Sequence, residues 1–299
     1  MIDGWFSRRR LLLAGGALAV AAPLGAGCRR TAHPAGQPPG APAGSLAWAI
    51  AGDWRNAADR ARDRWRHPLQ SLGFWGLTPG MTVVEFWPGT GWYTDIIAPV
   101  LTTGGGTLYA AVMSADDPEE PAGRAVAAAY RHKLELRPDL YRSVKVTTFG
   151  PGSGPVAPAR TADLVLFLRN LHNWMARGLA EKAFRDAHAA LRPGGVLGIE
   201  EHRASPGGLQ DVIASTGYVQ EAYVSQLARE AGFTLAASSE VNANPEDDHD
   251  HPFGVWTLPP TRLSAPRGQP PNPAFDHRRY DAIGESDRMT LKFIKPAHG

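Results

Sequence analysis

The chain has 299 residues, 43% of them hydrophobic, and its 31 Lys and Arg stand against 29 Asp and Glu for a net charge of +2. That composition supports one large α/β core and excludes the basic field that nucleic-acid binding requires. Cys28 is the only cysteine, so no internal disulfide forms.

In chain order, the first segment places Arg8, Arg9 and Arg10 before the apolar run Leu11 to Ala22. That run is too short to span a bilayer and suits the h-region of an export signal. Ser7-Arg8-Arg9-Arg10-Leu11-Leu12 is similar to the twin-arginine export signature, with an ordinary secretory signal as the alternative. Cys28 ends "LGAGC", which resembles a lipoprotein-processing site, although Gly25 stands where an aliphatic residue is usual. Lipid anchoring and simple cleavage both stay open. The expected organisation is an export signal over 1–28, a Pro/Gly/Ala linker over 29–45 and one domain over 46–299, exported to the periplasm or held in the cell envelope.

The pattern predicts helix from Leu46 to Leu77, with Trp54, Ala57, Ala58, Ala61 and Trp65 on one side and Pro68 ending or kinking it. "TVVEF" (82–86) is a β-branched run that reads as a buried first strand, and Trp92 to Leu101 continues as helix. Strands are then predicted at 106–112, 143–149, 162–168, 196–201 and in "FTLAASS", with helices over 122–136, 176–191 and 218–231. "RMTLKFIK" (288–295) alternates as an antiparallel edge strand would. Strand alternating with helix implies one α/β, Rossmann-like doubly wound sheet, mostly parallel, with an antiparallel C-terminal strand.

The first strand runs into Pro88-Gly89-Thr90-Gly91. In an open α/β sheet that turn builds the ligand crevice, and two glycines let a ligand approach the backbone closely. No Walker lysine follows, and position 94 is Thr where a dinucleotide site wants a third glycine. Phosphate and dinucleotide cofactors, and with them an oxidoreductase, are disfavoured. What remains is a ligand without pyrophosphate, with the Glu85 carboxylate at the strand's end placed to bond an ammonium group or hydroxyl.

"EFWPGTG" has the acid-x-x-x-G-x-G form of the first motif of class I S-adenosylmethionine-dependent methyltransferases, which this chain resembles over about residues 50–296. "ADLVLFLRNLHNW", "LRPGGVLGIEEH" and "AYVSQLAREAGF" match further elements of that family in order. With "NANPEDDHDHPFGVWTLPP" and "IGESDRMTLKF", they resemble a bacterial subfamily described only as predicted methyltransferases, several with export signals. The resemblance implies S-adenosylmethionine as cofactor, held by Glu85, Pro88, Gly89, Gly91, Trp92 and Asn170. One departure concerns the ribose: an acid usual at the end of the second strand is replaced by Ala110, Ala111 and Val112, leaving Asp116 or Asp117 to reach in.

"RNLHNW" stands at the carboxyl rim of the fourth strand, where donor and acceptor would meet. His172 has the pKa of a base near neutrality, Asn173 offers hydrogen bonds to a substrate and Trp174 walls the site. In "IEEHR", alternation lets Glu200 and His202 share one face, which makes them the preferred pair, His202 as a second catalytic group and Glu200 toward the substrate. Trp87, Trp92, Tyr93, Trp174 and Trp256 are candidates for an aromatic wall around a sulfonium, or for core. The run Asp247, Asp248, His249, Asp250 and His251 reads as a solvated or substrate-capping loop, since ligands adjacent in a loop rarely converge on one ion. No metal is expected. The expected function is methyl transfer to a small-molecule acceptor. The alternative is an exported, non-catalytic module binding a small ligand, because the methyl donor is made in the cytoplasm.

Overall fold

In the computed structural model the described residues are 40–113 and 121–297. The predicted leader with Cys28, and Asp116 and Asp117, lie outside them.

The N-terminal stretch is four short helices rather than one: α1 (Leu46–Ile50), α2 (Ala57–Ala61), α3 (Asp63–Arg66) and α4 (Pro68–Trp75). Asn56 caps α2 by accepting from Asp59 N, and His67, at φ +40°, breaks the chain between α3 and α4. Pro68 starts α4 instead of kinking a longer helix, because its missing N–H falls among donors the first turn leaves unpaired anyway.

The rest alternates as β1 (Thr82–Phe86), α5 (Thr94–Gly104), β2 (Thr107–Met113), α6 (Pro121–Leu136), α7 (Pro138–Tyr141), β3 (Val144–Phe149) and β4 (Ala162–Leu168). It continues as α8 (Leu171–Met175), α9 (Ala180–Ala190), β5 (Leu191–His202), α10 (Glu221–Glu230), β6 (Thr234–Ser239), α11 (Arg278–Ile283) and β7 (Arg288–Ile294). The sheet order is β3-β2-β1-β4-β5-β7-β6. β1 pairs in parallel with β2 and β4, while β7 runs antiparallel to both its neighbours. The doubly wound class expected from sequence is the fold observed.

β7 departs from the expectation in position: it is interior, and β6 is the edge. Its alternating polar residues suggested a solvent face, yet they are paired inside the protein. Arg288 Nη1 donates to Glu200 Oε1 at 2.9 Å, and Lys292 Nζ to the Phe74 carbonyl at 3.1 Å.

Two apolar layers cover the sheet. Phe86, Phe167, Trp174, Phe184, Leu197 and Phe293 pack with Leu227 of α10 on one side, and Trp75, Val83, Ile96, Ile97 and Leu101 pack on the other. β1 and β4 are neighbours from which the chain winds in opposite directions, so their carboxyl ends form the crevice in which such sheets hold ligands.

Candidate active site

At that crevice both strands end in a strained residue. Trp87 after β1 has φ +46° and Arg169 after β4 has φ +57°, left-handed conformations that cost non-glycine residues about 1–3 kcal/mol each. Asn170 ties the two ends together, its Nδ2 donating to the Trp87 carbonyl at 3.0 Å and the Leu168 carbonyl at 3.2 Å.

On one side of Asn170 lies a mainly apolar cavity of about 190 Å³, lined by Trp87, Pro88, Gly89, Val112, Met113, Val126, Ala127 and Asn170. Of the glycine turn, Pro88 and Gly89 line this cavity and Gly91, expected to hold the cofactor, does not. Gly89 has φ +60° with open space where a Cβ would project, and Gly91 has φ +89° with Lys133 Nζ 3.1 Å from that position. Lys133, unremarked in the sequence, reaches from α6 to hold the Thr90 carbonyl at 3.0 Å and Asp95 Oδ2 at 2.6 Å. At the end of β2, Val112 and Met113 line the cavity with apolar side chains.

Glu85 lies beneath the turn, buried. Its Oε2 accepts from Thr94 Oγ1 at 2.7 Å, and Thr94 Oγ1 is 3.0 Å from Tyr130 Oη. Burial pushes its carboxyl up to about 7, against the Thr94 hydrogen bond that lowers it. It is not among the residues lining the cavity, so it supports the turn from below. Trp92 is also absent from the lining: its Nε1 donates to the Asp59 carbonyl and its ring is flanked by the Arg55 and Arg66 guanidiniums.

On the other side of Asn170 is a polar cavity of about 220 Å³, with Arg66, Arg169, His172, Asn173, His202, Trp256 and Glu285 in its wall. His172 is held by Glu201. Glu201 Oε1 accepts from His172 Nδ1 at 2.8 Å and from His202 N at 2.9 Å, while Oε2 accepts from Leu171 N at 2.6 Å. A carboxylate on Nδ1 fixes the proton there, which leaves the His172 Nε2 lone pair free to take another. The His202 ring centroid is 5.1 Å from that of His172, and His202 Nδ1 is 2.5 Å from Ser286 Oγ. Burial, then the neighbouring His172, pushes the His202 pKa well down, so it is neutral at physiological pH.

Glu200 is buried in a structural ion network rather than facing a substrate. It takes Arg169 Nη1 at 2.8 Å, Arg288 Nη1 at 2.9 Å and the Tyr93 hydroxyl at 2.6 Å. Those cations hold its pKa down against the opposing effect of burial. Trp174 does not wall the site either. It sits in the core with ring centroids 4.8 Å from Phe167 and 5.5 Å from Phe149, and its Nε1 is buried without a partner. Of the five candidate wall aromatics, Trp87 lines the apolar cavity and Trp256 the polar one; Trp92, Tyr93 and Trp174 are interior packing.

His172, Glu201 and His202 each place one donor atom within 4.8 Å of the others, a spacing compatible with a metal ion. Against a cation stand the commitment of the Glu201 oxygens to N–H donors and the positive field of Arg288 and Arg169 at His202. The Asp247–His251 loop is not solvated throughout, and against the expectation for neighbours in a loop Asp247, Asp248 and His251 each place one donor atom within 4.8 Å of the others. Asp247 and His251 are buried, with Asp247 Oδ1 on His251 Nε2 at 2.8 Å and Asp248 Oδ1 3.6 Å from Nδ1 on the ring's other side.

No protein-family model and no curated protein matches the sequence. Solved structures do. The chain is similar to a putative sarcosine dimethylglycine methyltransferase from Galdieria sulphuraria at 11% identity and TM-score 0.51, over 83% of this chain and 89% of that one. It is also similar to the [4+2]-cyclase SpnF at 16% identity and TM-score 0.50, over 82% and 83% of the two chains. A SAM dependent methyltransferase from Aquifex aeolicus matches at 18% identity and TM-score 0.46, over 61% and 87%. The chain has the Rossmann-like fold of class I methyltransferases.

Proposed function

We propose that the protein is an S-adenosylmethionine-dependent methyltransferase acting on a small acceptor. The observation that carries this reading is the pair of cavities meeting at one short segment, with Asn170 in the wall of the apolar one and His172 in the wall of the polar one. The apolar cavity suits the flat ring of the donor: Gly89 leaves open space against the backbone, and Trp87, Val126 and Ala127 offer apolar surface. S-adenosylmethionine, when bound, supplies a methyl group already activated on a sulfonium.

The chain's own residues then have two tasks. Asn170 and the rigid end of β4 hold the two cavities in register, so that an acceptor atom is positioned for in-line attack. His172, oriented by Glu201, takes the acceptor's proton on Nε2 as the new bond forms. The resulting imidazolium is stabilised by the Glu201 carboxylate at 2.8 Å.

Calorimetric titration of the purified protein with S-adenosylmethionine and S-adenosylhomocysteine tests the reading. Saturable binding of both at one site is expected. No heat with either compound overturns it.

A further inference from the structure

The polar cavity contains guanidinium donors that the protein itself does not use. Arg66, the last residue of α3, is nearly buried; its Nε donates to Glu285 Oε2 at 2.8 Å and its guanidinium lies 4.8 Å from the Trp92 ring centroid. Its two terminal nitrogens bond nothing among the described residues. Arg169 spends Nη1 on Glu200, and its Nε and Nη2 likewise have no partner among the described residues.

The only carboxylate in the cavity wall among the described residues, Glu285, is already shared among three arginines. Its Oε1 accepts from Arg62 Nε at 2.7 Å and its Oε2 from Arg66 and from Arg288 Nη1 at 3.1 Å. The wall thus offers two guanidiniums with donors open to the cavity, and a ligand that displaces water from them must supply acceptors of its own. A ligand oxyanion supplies what is missing, and the planar fork of a guanidinium matches it.

Trp256 and Pro259 add apolar surface to the same cavity, with the Arg267 guanidinium packed 4.0 Å from the Trp256 ring centroid. The volume, about 220 Å³, is below the roughly 300–1,000 Å³ usual for drug-sized ligands. The geometry points to a small, planar acceptor that carries an oxyanion, bound to Arg66 and Arg169, with its body against Trp256 and its methyl-accepting group at His172. This rests on the polar cavity being the acceptor site of the proposed methyl transfer.

The test is calorimetric titration of the full chain with 4-hydroxybenzoate, 4-hydroxyphenyl phosphate and the neutral 4-hydroxybenzamide. At least one anion is expected to bind about tenfold or more tightly than the amide, as a charge-assisted hydrogen bond requires. The tighter of the two distinguishes a carboxylate from a phosphate. Arg66→Gln is expected to erase most of that preference while leaving amide affinity within about twofold; its melting curve and its binding of S-adenosylhomocysteine report whether it is folded. Anions binding no better than the amide to the unaltered protein overturn the proposal, whatever the variant does. So does an unchanged preference in folded Arg66→Gln. No donor compound is needed in these titrations, so failure of the methyl-transfer reading would show separately, in the donor titration.

Discussion

Glu201 accepts from the His172 ring N–H and from the backbone amides of Leu171, His172 and His202, so its substitution acts through the histidine rather than on a substrate directly. His172→Ala is expected to lower the methyl-transfer rate at saturating donor by about 10²- to 10⁴-fold, the range of a general base. Glu201→Gln should cost less and alter the pH profile, because an amide no longer dictates which ring nitrogen holds the proton. Rates against pH for both variants check this, with donor affinity expected to hold. Glu85 gives a stability prediction. Its carboxyl titrates near 4.5 when unfolded and near 7 in the fold, so the native state holds the extra proton between those values. Stability is therefore full below about pH 4.5 and declines as pH rises through 7. Glu85→Gln, which keeps an acceptor for Thr94, should match the parent at pH 5 and exceed it at pH 8 by up to about 3 kcal/mol, read from urea midpoints. At this scale the sequence revealed residue types and not orientations. Alternation correctly separated Glu200 from Glu201 by face, but which face met His172 depended on buried partners, Arg169 and Arg288, at distant positions in the chain.

α8 shows why elements carry information that strings do not. "RNLHNW" reads as one rim, yet residues two apart on a helix point in different directions, so His172 meets the polar cavity while Trp174 enters the core among Phe86, Phe149 and Phe167. Trp174→Ala should cost about 3–5 kcal/mol in chemical denaturation. Trp174→Phe should cost much less, since the indole N–H it deletes is buried without a partner. The β5 to α4 contact makes a second prediction. A Cβ on Gly198 would stand 2.7 Å from the Trp75 ring, and overpacking of this kind costs about 1–3 kcal/mol. Gly198→Ala is thus expected to lower the urea midpoint while leaving donor binding intact, because the contact lies away from both cavities. The long N-terminal helix was misread because periodicity carries no sign of where a cap or a left-handed residue interrupts it; Asn56 and His67 do so here.

For the whole molecule, the strand-to-helix alternation and the glycine turn made the sheet class legible, because burial on both faces leaves long apolar runs in the sequence. Strand order was not legible at the carboxyl end, where β7 enters between β5 and β6. Export is a further expectation, resting on Arg8 to Leu12 and on Cys28, and fractionation tests it. The protein is expected outside the cytoplasm, and Cys28→Ser should move it from the membrane to the soluble envelope fraction if the cysteine is lipidated. The place of β7 bears on when the polar cavity is completed. It is the latest of the seven strands to be synthesised, yet it fills an interior slot and brings Arg288 to Glu200 and Glu285. Until it arrives, β5 lacks one neighbour and Glu200 lacks its Arg288 partner. Pairings between segments so far apart in sequence form slowly. Completion of the cavity wall is thus expected to come late in folding.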